Sequence, residues 1–144
     1  MNNAVIPDGF ERRLRQTPLT DPWEPLYSKR TDKVAIVGLR LAKPHTNGHG
    51  QIHGGLIATL ADIAMGYSCG YQLGATHMLT IGLAVDYIGS AQVGQWLAVE
   101  PDVIKTGRTI CFAQCFVRAD DLVIARANAT FRVVRQTLAS EGRA

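Results

Sequence analysis

A single aspartate lies within the longest apolar stretch of the chain. This stretch, GGLIATLADIAMGYSCGYQLG, covers residues 54–74 and contains Asp62 between Ala61 and Ile63. A carboxylate in apolar surroundings needs hydrogen-bond partners, or its pKa rises. Aspartate is also a weak helix former at an interior position. Asp62 is therefore a candidate general base or nucleophile. The alternative is a structural aspartate that only bonds a neighbouring hydroxyl or amide.

Hydrogen-bond donors precede this aspartate in the chain. Gly54 and Gly55 open the apolar stretch, and the first N–H groups of a helix have no partner within it and carry the positive end of its dipole. Glycine lets a ligand approach such a backbone closely. Asn47 adds a side-chain amide in the preceding loop. These groups can polarise a carbonyl oxygen, although Asn47-Gly48 alone is a common turn.

The spacing between the acid and the donors predicts a site shared by two subunits. Gly54 and Asp62 are eight residues apart, which is roughly 12 Å along one helix, so one carbonyl cannot contact both within a chain. At helical spacing Asp62 lines up with a stripe of mostly small residues: Gly55, Ala58, Thr59, Gly66 and Cys69. Such a stripe permits close approach of a second helix, antiparallel across a two-fold axis.

The hydrophobic periodicity predicts an α+β fold. A strand is expected over residues 33–42, and one long helix over 53–73. The period then changes to two, and four strands are expected near 76–89, 95–105, 108–119 and 121–135. The connections TGRT and ADDL are short, so these strands pair antiparallel. We expect a curved antiparallel sheet with the helix on its concave face, and a short amphipathic N-terminal helix over residues 7–17.

Length and composition predict one domain and exclude several classes of partner. The domain is expected over residues 33–136, after an N-terminal helix and connection at 1–32 and before a flexible tail at 137–144. The formal charge of +3, without a long Lys/Arg cluster, argues against nucleic-acid binding. Asp62 argues against a membrane span. Three cysteines without disulfide or metal spacing, and no secretory signal, favour the cytoplasm.

The motif formed by these residues resembles that of a known family. It runs from Asn47 through His53-Gly54-Gly55 to Asp62, within NGHGQIHGG and LADIA. It is similar to the hotdog-fold thioesterases, in particular the PaaI-like (phenylacetic acid degradation) branch of the 4-hydroxybenzoyl-CoA thioesterase superfamily. The resemblance extends to GQWLAVEPDVIKTGR and covers about residues 34–134. It implies a hotdog fold and hydrolysis of an acyl or aryl-acetyl thioester to the free acid and coenzyme A.

The resemblance also implies a role for each residue of the motif. Asp62 would act as general base on water or as the nucleophile. The Gly54 amide and the Asn47 side chain would hold the thioester carbonyl oxygen. His53 would shape the loop through hydrogen bonds, and Thr80, on a strand face expected to include Gly82 and Ala84, would orient the water.

Coenzyme A would, by the same resemblance, run along the strand edges. Its expected contacts are Gly55, Tyr87 and the hairpin residues Lys105, Thr106, Gly107, Arg108 and Thr109. Lys105 and Arg108 would pair with its phosphates, and the alternative is that they are solvated hairpin charges. The resemblance implies no metal, no cofactor besides the coenzyme A of the substrate, and a homodimer that commonly pairs into a tetramer.

Three other functions stay open at this point. A hotdog dehydratase or hydratase would use the same fold, but the chain has neither a DxNPxH-like segment nor an HxxxGxP loop. A metal site would suit His45, His49 and His53 if they shared a helix face, but Pro44 and Gly48 argue against a helix there. A non-catalytic module that binds acyl-CoA would keep both the fold and the pocket.

Overall fold

The computed structural model describes residues 5–13, 15–74 and 77–135. One long helix packs against a curved antiparallel sheet of seven strands. The helix α1 is Gly54–Leu73, and the strands are β1 Glu11–Arg12, β2 Tyr27–Arg30, β3 Ala35–Arg40, β4 His77–Tyr87, β5 Trp96–Thr106, β6 Ile110–Ala119 and β7 Leu122–Val134. Two single 3-10 turns, Asp21–Trp23 and Lys43–His45, precede α1. The α+β hotdog prediction is confirmed.

The strand order in the sheet is β1-β2-β3-β5-β6-β7-β4, and every pair is antiparallel. The strands β5, β6 and β7 are joined by short turns, as the sequence predicted. The chain leaves β3, passes through α1 across the sheet, and enters β4 beside β7 at the opposite end of the strand order. As a result, among the described residues β4 has a hydrogen-bonded neighbour on one side only, and no described strand covers its other edge.

Alternating side chains of the strands build the core beneath α1. The inward face of β7 carries the residues that the sequence predicted: Ala125, Ala127, Ala129, Phe131 and Val133 are all buried. The helix buries Leu56, Ile57, Leu60, Ala61, Ala64, Met65, Ser68 and Cys69. No helix of the described residues is long and apolar enough to cross a membrane.

The buried face of α1 differs in phase from the predicted one. Cys69, expected on the small stripe, is fully buried in the core. Ile63 and Tyr67, expected to pack on the sheet, are half-buried on the side of Asp62. The helix is apolar nearly all round, so its sequence gives only a weak signal for which face the sheet covers.

The N-terminal prediction was wrong in its position. Residues 7–17 form no helix where the chain is described: a turn at 8–9 leads into β1, which pairs with β2. Among the described residues, the first helical element of the chain is the 3-10 turn Asp21–Trp23. Strand β2 pairs with β3, so the sheet includes residues before the expected domain start at 33. The predicted tail, 137–144, lies outside the described residues.

A buried histidine fixes the loop that leads into α1. His45 Nδ1 accepts a hydrogen bond from the Ala42 N–H, and its Nε2 donates to the Trp23 carbonyl, both at 2.9 Å. The His45 carbonyl in turn accepts from the His53 N–H at 3.0 Å. Burial lowers the pKa of His45, against the smaller opposing effect of the bond to Trp23. A neutral imidazole therefore holds this loop.

We expect the free energy of unfolding to fall as the pH drops below about 6.5, the usual histidine pKa. Because the folded-state pKa of His45 is lowered, the unfolded chain binds the proton more tightly, and stability rises with pH through this window. Urea unfolding across the window should show this slope in wild type. His45→Asn, whose Oδ1 can still accept from Ala42, should lose the slope, whereas His49→Asn at an exposed position should keep it. Equal slopes for wild type and His45→Asn would contradict the assignment.

Candidate active site

Asp62 lies on the face of α1 that turns away from the core, and it is half-buried. The Thr80 hydroxyl of β4 donates a hydrogen bond to Asp62 Oδ1 at 2.6 Å. No other described residue donates to this carboxylate, so Oδ2 is available to a ligand. The structure thus brings together two predicted catalytic residues from different elements.

A bulge in β4 aims Thr80 towards the helix. In the β4–β7 pairing Thr80 stands opposite Phe131, but Gly82 stands opposite Thr130, so the register shifts at Ile81. Cross-strand partners share a face, and a bulge reverses the alternation that follows it. Thr80 therefore lies on the inner face with the buried Phe131, whereas Gly82 lies on the outer face.

The same bulge brings Tyr87 to the inner face. Tyr87 stands opposite the buried Ala125, and its hydroxyl donates to the Gly54 carbonyl at 2.7 Å. A Cβ on Gly54 would lie 3.2 Å from Cζ of the Tyr87 ring, so a larger residue at this position would require the ring to shift by a few tenths of an ångström. The expectation that Thr80 shares a face with Gly82 and Ala84 was wrong, because strict alternation ignores the extra residue.

The start of α1 leaves one amide free. His53 is the N-cap residue, and its Nδ1 accepts from the Gly55 N–H at 2.8 Å. The Gly54 N–H donates to no described residue. The positive end of the helix dipole lies here, so the Gly54 N–H is a suitable donor to an oxygen that carries negative charge. The bond from Tyr87 to the Gly54 carbonyl fixes the position of this residue.

Asn47 organises the loop before the helix. Its Oδ1 accepts from the N–H groups of His49 and Gln51 at 2.8 and 3.2 Å, and its own N–H donates to the Gln51 carbonyl at 2.7 Å. No described residue accepts from its Nδ2. The side chain therefore forms the turn with its oxygen and keeps its amide donor free.

A pocket of about 430 Å³ opens beside Asp62 and Thr80. Its other lining residues come from α1, from β4 and β7, and from the N-terminal segment: Ile63, Gly66, Tyr67, Gly70 and Tyr71; His77, Met78 and Phe131; and Arg13, Arg15, Thr17 and Thr20. We call it the acid pocket. Its N-terminal residues were missed from the sequence, because that segment was expected to form a separate helix. The only signal was the basic run ERRLR.

Other predicted site residues lie elsewhere in the single chain. The hairpin residues Lys105, Thr106, Arg108 and Thr109 are exposed, Gly107 is half-buried, and none of them lines the acid pocket. Gly54 and Asp62 both lie on α1, and Gly54 is not among the residues that line the acid pocket. One chain therefore presents two separate half-sites, an acid with its hydroxyl and a helix start with its donors.

Among the described residues, no exposed thiol and no cluster of metal-ligating side chains lies near Asp62. The free thiols of Cys69, Cys111 and Cys115 are buried, and burial raises the pKa of Cys115 to about 12. Both ring nitrogens of His45 are engaged. In the described ranges no group of three or more His, Cys, Asp or Glu side chains is placed to hold a metal ion.

Comparison with known families identifies the family to which the chain belongs. The model of the thioesterase superfamily matches residues 49–126. The chain belongs to the thioesterase superfamily. The match includes Asp62, Thr80 and the start of α1, and it favours hydrolysis over the dehydratase and binding-module alternatives. The chain is a thioester hydrolase.

Relatives of this thioesterase carry related names. It is 34% identical over 130 residues to a Pseudomonas aeruginosa protein named "Putative esterase", covering 89% of this chain and 97% of the relative. It is 30% identical over 107 residues to mouse acyl-coenzyme A thioesterase 13, covering 73% of this chain and 69% of the relative.

Solved structures agree with the fold of the thioesterase. A mutant form of the phenylacetic acid degradation protein PaaI of Thermus thermophilus superposes with a TM-score of 0.73 at 18% identity, covering 82% of this chain and 100% of that one. A hypothetical thioesterase of Streptococcus pneumoniae, crystallised with coenzyme A, gives 0.73 at 22% identity, covering 79% and 92%. The predicted resemblance to the PaaI-like hotdog thioesterases is confirmed at the level of the fold.

We expect Thr80→Val to lower the kcat of the thioesterase about ten-fold, because it removes the hydrogen bond to Asp62 while keeping the side-chain size. Thr80→Ser, which keeps the hydroxyl, should stay close to wild type. The measurement is kcat and KM for an acyl thioester, with the thermal unfolding midpoint as a check of folding. Equal kcat values for the valine variant and wild type would remove Thr80 from the mechanism.

Proposed function

We propose that this thioesterase hydrolyses an acyl or aryl-acetyl thioester of coenzyme A to the free acid and coenzyme A. The observation that carries the proposal is the Asp62 carboxylate, which Thr80 holds at one oxygen and which lines the acid pocket. The mouse relative named as an acyl-coenzyme A thioesterase, and the structural neighbour crystallised with coenzyme A, support this substrate class.

In the proposed reaction, Asp62 takes a proton from water as the water oxygen attacks the thioester carbonyl carbon. The carbon–sulfur bond then breaks, and the departing thiolate takes up a proton to give free coenzyme A. Thr80 orients the Asp62 carboxylate and the water. Direct attack by Asp62, followed by hydrolysis of the acyl-enzyme, uses the same residues. No cofactor enters either route.

The carbonyl oxygen is held, in this proposal, by the helix start of a second subunit. The Gly54 N–H and the Asn47 Nδ2 donate to no described residue of their own chain, so they would be free to stabilise the developing negative charge. His53 shapes this donor pair by capping the Gly55 amide. Because Gly54 lies roughly 12 Å from Asp62 along its own helix, the two halves meet only between subunits.

The open edge of β4 is the proposed dimer contact. This strand exposes Leu79, Ile81 and Leu83, with 47%, 59% and 38% of their surface accessible. Open edges pair readily with other strands. A second β4, antiparallel across a two-fold axis, would continue the sheet and bring the two α1 helices side by side. Dimers of this kind pair further into a tetramer in our proposal, as in the family.

Coenzyme A is proposed to lie near the helix start and along the strand edges. Gly55 and Tyr87 would contact it there, with the exposed hairpin of Lys105, Thr106, Gly107, Arg108 and Thr109 completing the contacts. The basic side chains Lys105 and Arg108 would pair with its phosphates. The cytoplasm is the proposed location, because coenzyme A thioesters and free thiols both fit a reducing compartment.

We expect Asp62→Ala to lower kcat by at least about 10²-fold, since it removes the proposed base or nucleophile. The isosteric Asp62→Asn should lose as much, although it can still accept from Thr80. Release of free coenzyme A from a panel of aliphatic and aryl-acetyl thioesters measures the effect, with circular dichroism showing that the fold is kept. Turnover at the wild-type rate in either variant would refute the role of Asp62.

We expect Ile81→Glu to yield monomers without activity, because a charge at the β4 edge would be buried unpaired in the proposed dimer. Val93→Glu is the control: Val93 is similarly exposed, at 56%, but lies outside the strands. Sedimentation velocity gives the oligomeric state, and coenzyme A release gives the activity. Active monomers of Ile81→Glu would contradict the shared site, and active dimers would contradict the β4 contact.

A further inference from the structure

Several contacts fix the N-terminal segment against the sheet. Glu11 and Arg12 pair with β2, the Arg13 N–H donates to the Leu26 carbonyl at 2.9 Å, and the Phe10 ring meets the Trp96 ring edge-on, with centroids 5.1 Å apart. These contacts give the basic residues of ERRLR a defined place in the fold, and this place is beside α1.

A second pocket, of about 670 Å³, adjoins the acid pocket. We call it the arginine pocket, because four of its lining residues are Arg12, Arg13, Arg15 and Arg30. It shares Arg13, Arg15 and Tyr67 with the acid pocket. A group bound at Asp62 in the acid pocket therefore shares that pocket with Arg13 and Arg15.

Two of these arginines have protein partners. Arg12 forms an ion pair with Glu24 at 3.7 Å. Arg30 donates a hydrogen bond to the Tyr67 hydroxyl, and its guanidinium lies 5.5 Å from the Tyr67 ring centre and 5.9 Å from that of Tyr71. Arg30 therefore holds Tyr67, a residue that lines both pockets.

The other two arginines lack an ion pair with any described carboxylate. Arg13 is half-buried, and burial is the main cause that lowers its pKa. The negative charge of Glu24 has a smaller effect that raises the pKa of Arg13. Arg15 is exposed at the rim. Among the described residues, Glu11 is the only carboxylate that lines the arginine pocket. The arginines that line this pocket thus outnumber the carboxylates that the described residues place there.

We propose that the acyl group of the substrate carries a carboxylate at the end remote from the thioester, and that Arg13 and Arg15 bind it. This inference rests on the proposed function. Tyr67 follows Asp62 by five residues, which is about 7.5 Å along the helix axis, so the acyl chain needs several carbons between the thioester and the carboxylate. Guanidinium groups bind carboxylates through charge-assisted, often bidentate hydrogen bonds.

The phosphates of coenzyme A are a second anionic group that arginines bind. The proposed phosphate contacts, Lys105 and Arg108, line neither pocket, whereas Arg13 and Arg15 line the pocket that contains Asp62. The part of the substrate that extends from Asp62 along α1 towards Tyr67 is the acyl chain. A carboxylate on the acyl chain is therefore the anion that Arg13 and Arg15 are placed to bind. Thioesters without a nucleotide distinguish the two sources.

The test compares adipyl-CoA with its monomethyl ester, which has the same chain without the charge. We expect kcat/KM of wild type to be at least about ten-fold higher for adipyl-CoA, because a charge-assisted hydrogen bond is lost in the ester. The double variant Arg13→Gln/Arg15→Gln should bring this ratio close to one. Arg13→Lys/Arg15→Lys should keep part of it, and Lys33→Gln, which removes a charge outside both pockets, should keep all of it. A wild-type ratio near one would overturn the proposal.

The adipyl thioester of N-acetylcysteamine and its methyl ester repeat the comparison without phosphates. The preference should persist. The contrary outcome is that the double glutamine variant lowers kcat/KM equally for both coenzyme A thioesters and leaves kcat/KM for both short thioesters unchanged. In that case the arginines bind phosphate and the proposal is wrong.

Binding to Asp62→Ala separates this inference from the proposed function. Calorimetry should show adipyl-CoA binding at least about ten-fold more tightly than its methyl ester, and the preference should disappear with the added arginine substitutions. Absence of hydrolysis in wild type would refute the proposed function, while the same binding preference would still support the carboxylate site. Equal binding of the two ligands would refute the site, whatever the turnover.

Discussion

The fixed rise of an α-helix is the constraint on which the rest of this structure depends. Asp62 and the Gly54 amide are both held on one rigid helix, and no side-chain rotation brings them to one carbonyl. Both half-sites lie at the side of α1 that β4 contacts, where Thr80 bonds Asp62 and Tyr87 bonds Gly54. In the proposed dimer, an antiparallel partner supplies to each half-site what its own helix cannot.

Strand β4 connects the two half-sites within a chain. Its Thr80 holds the carboxylate, and its Tyr87 holds the start of the helix. Both side chains reach α1 only because a bulge at Ile81 reverses the alternation between them. The same strand forms the open edge of the sheet, so one element positions the acid, positions the amide and offers the surface through which we propose that the subunits meet.

The proposed catalytic residues and the residues proposed to select the substrate have different origins in the fold. Asp62, Thr80 and Gly54 belong to the helix and to the strand that follows it, which are fixed by the core. Arg13 and Arg15 belong to a peripheral segment that is held by one pair of short strands and a few contacts. A change in that segment can alter the acyl group accepted without disturbing the acid or its hydroxyl.

Sequence patterns were enough to predict the fold class, the bounds of the long helix and of the later strands to within a few residues, and Asp62 as a candidate, whereas Thr80 became a candidate through the family resemblance. Period-two and apolar patterns are local, so they are readable without coordinates. Three features required the three-dimensional structure: the phase of a helix that is apolar nearly all round, the bulge that turns Thr80 and Tyr87 to one face, and the position of the described residues between 7 and 17. Each of these depends on contacts between segments far apart in the chain. A run such as ERRLR has no local pattern strong enough to show that it pairs with β2 and brings its arginines to the acid pocket.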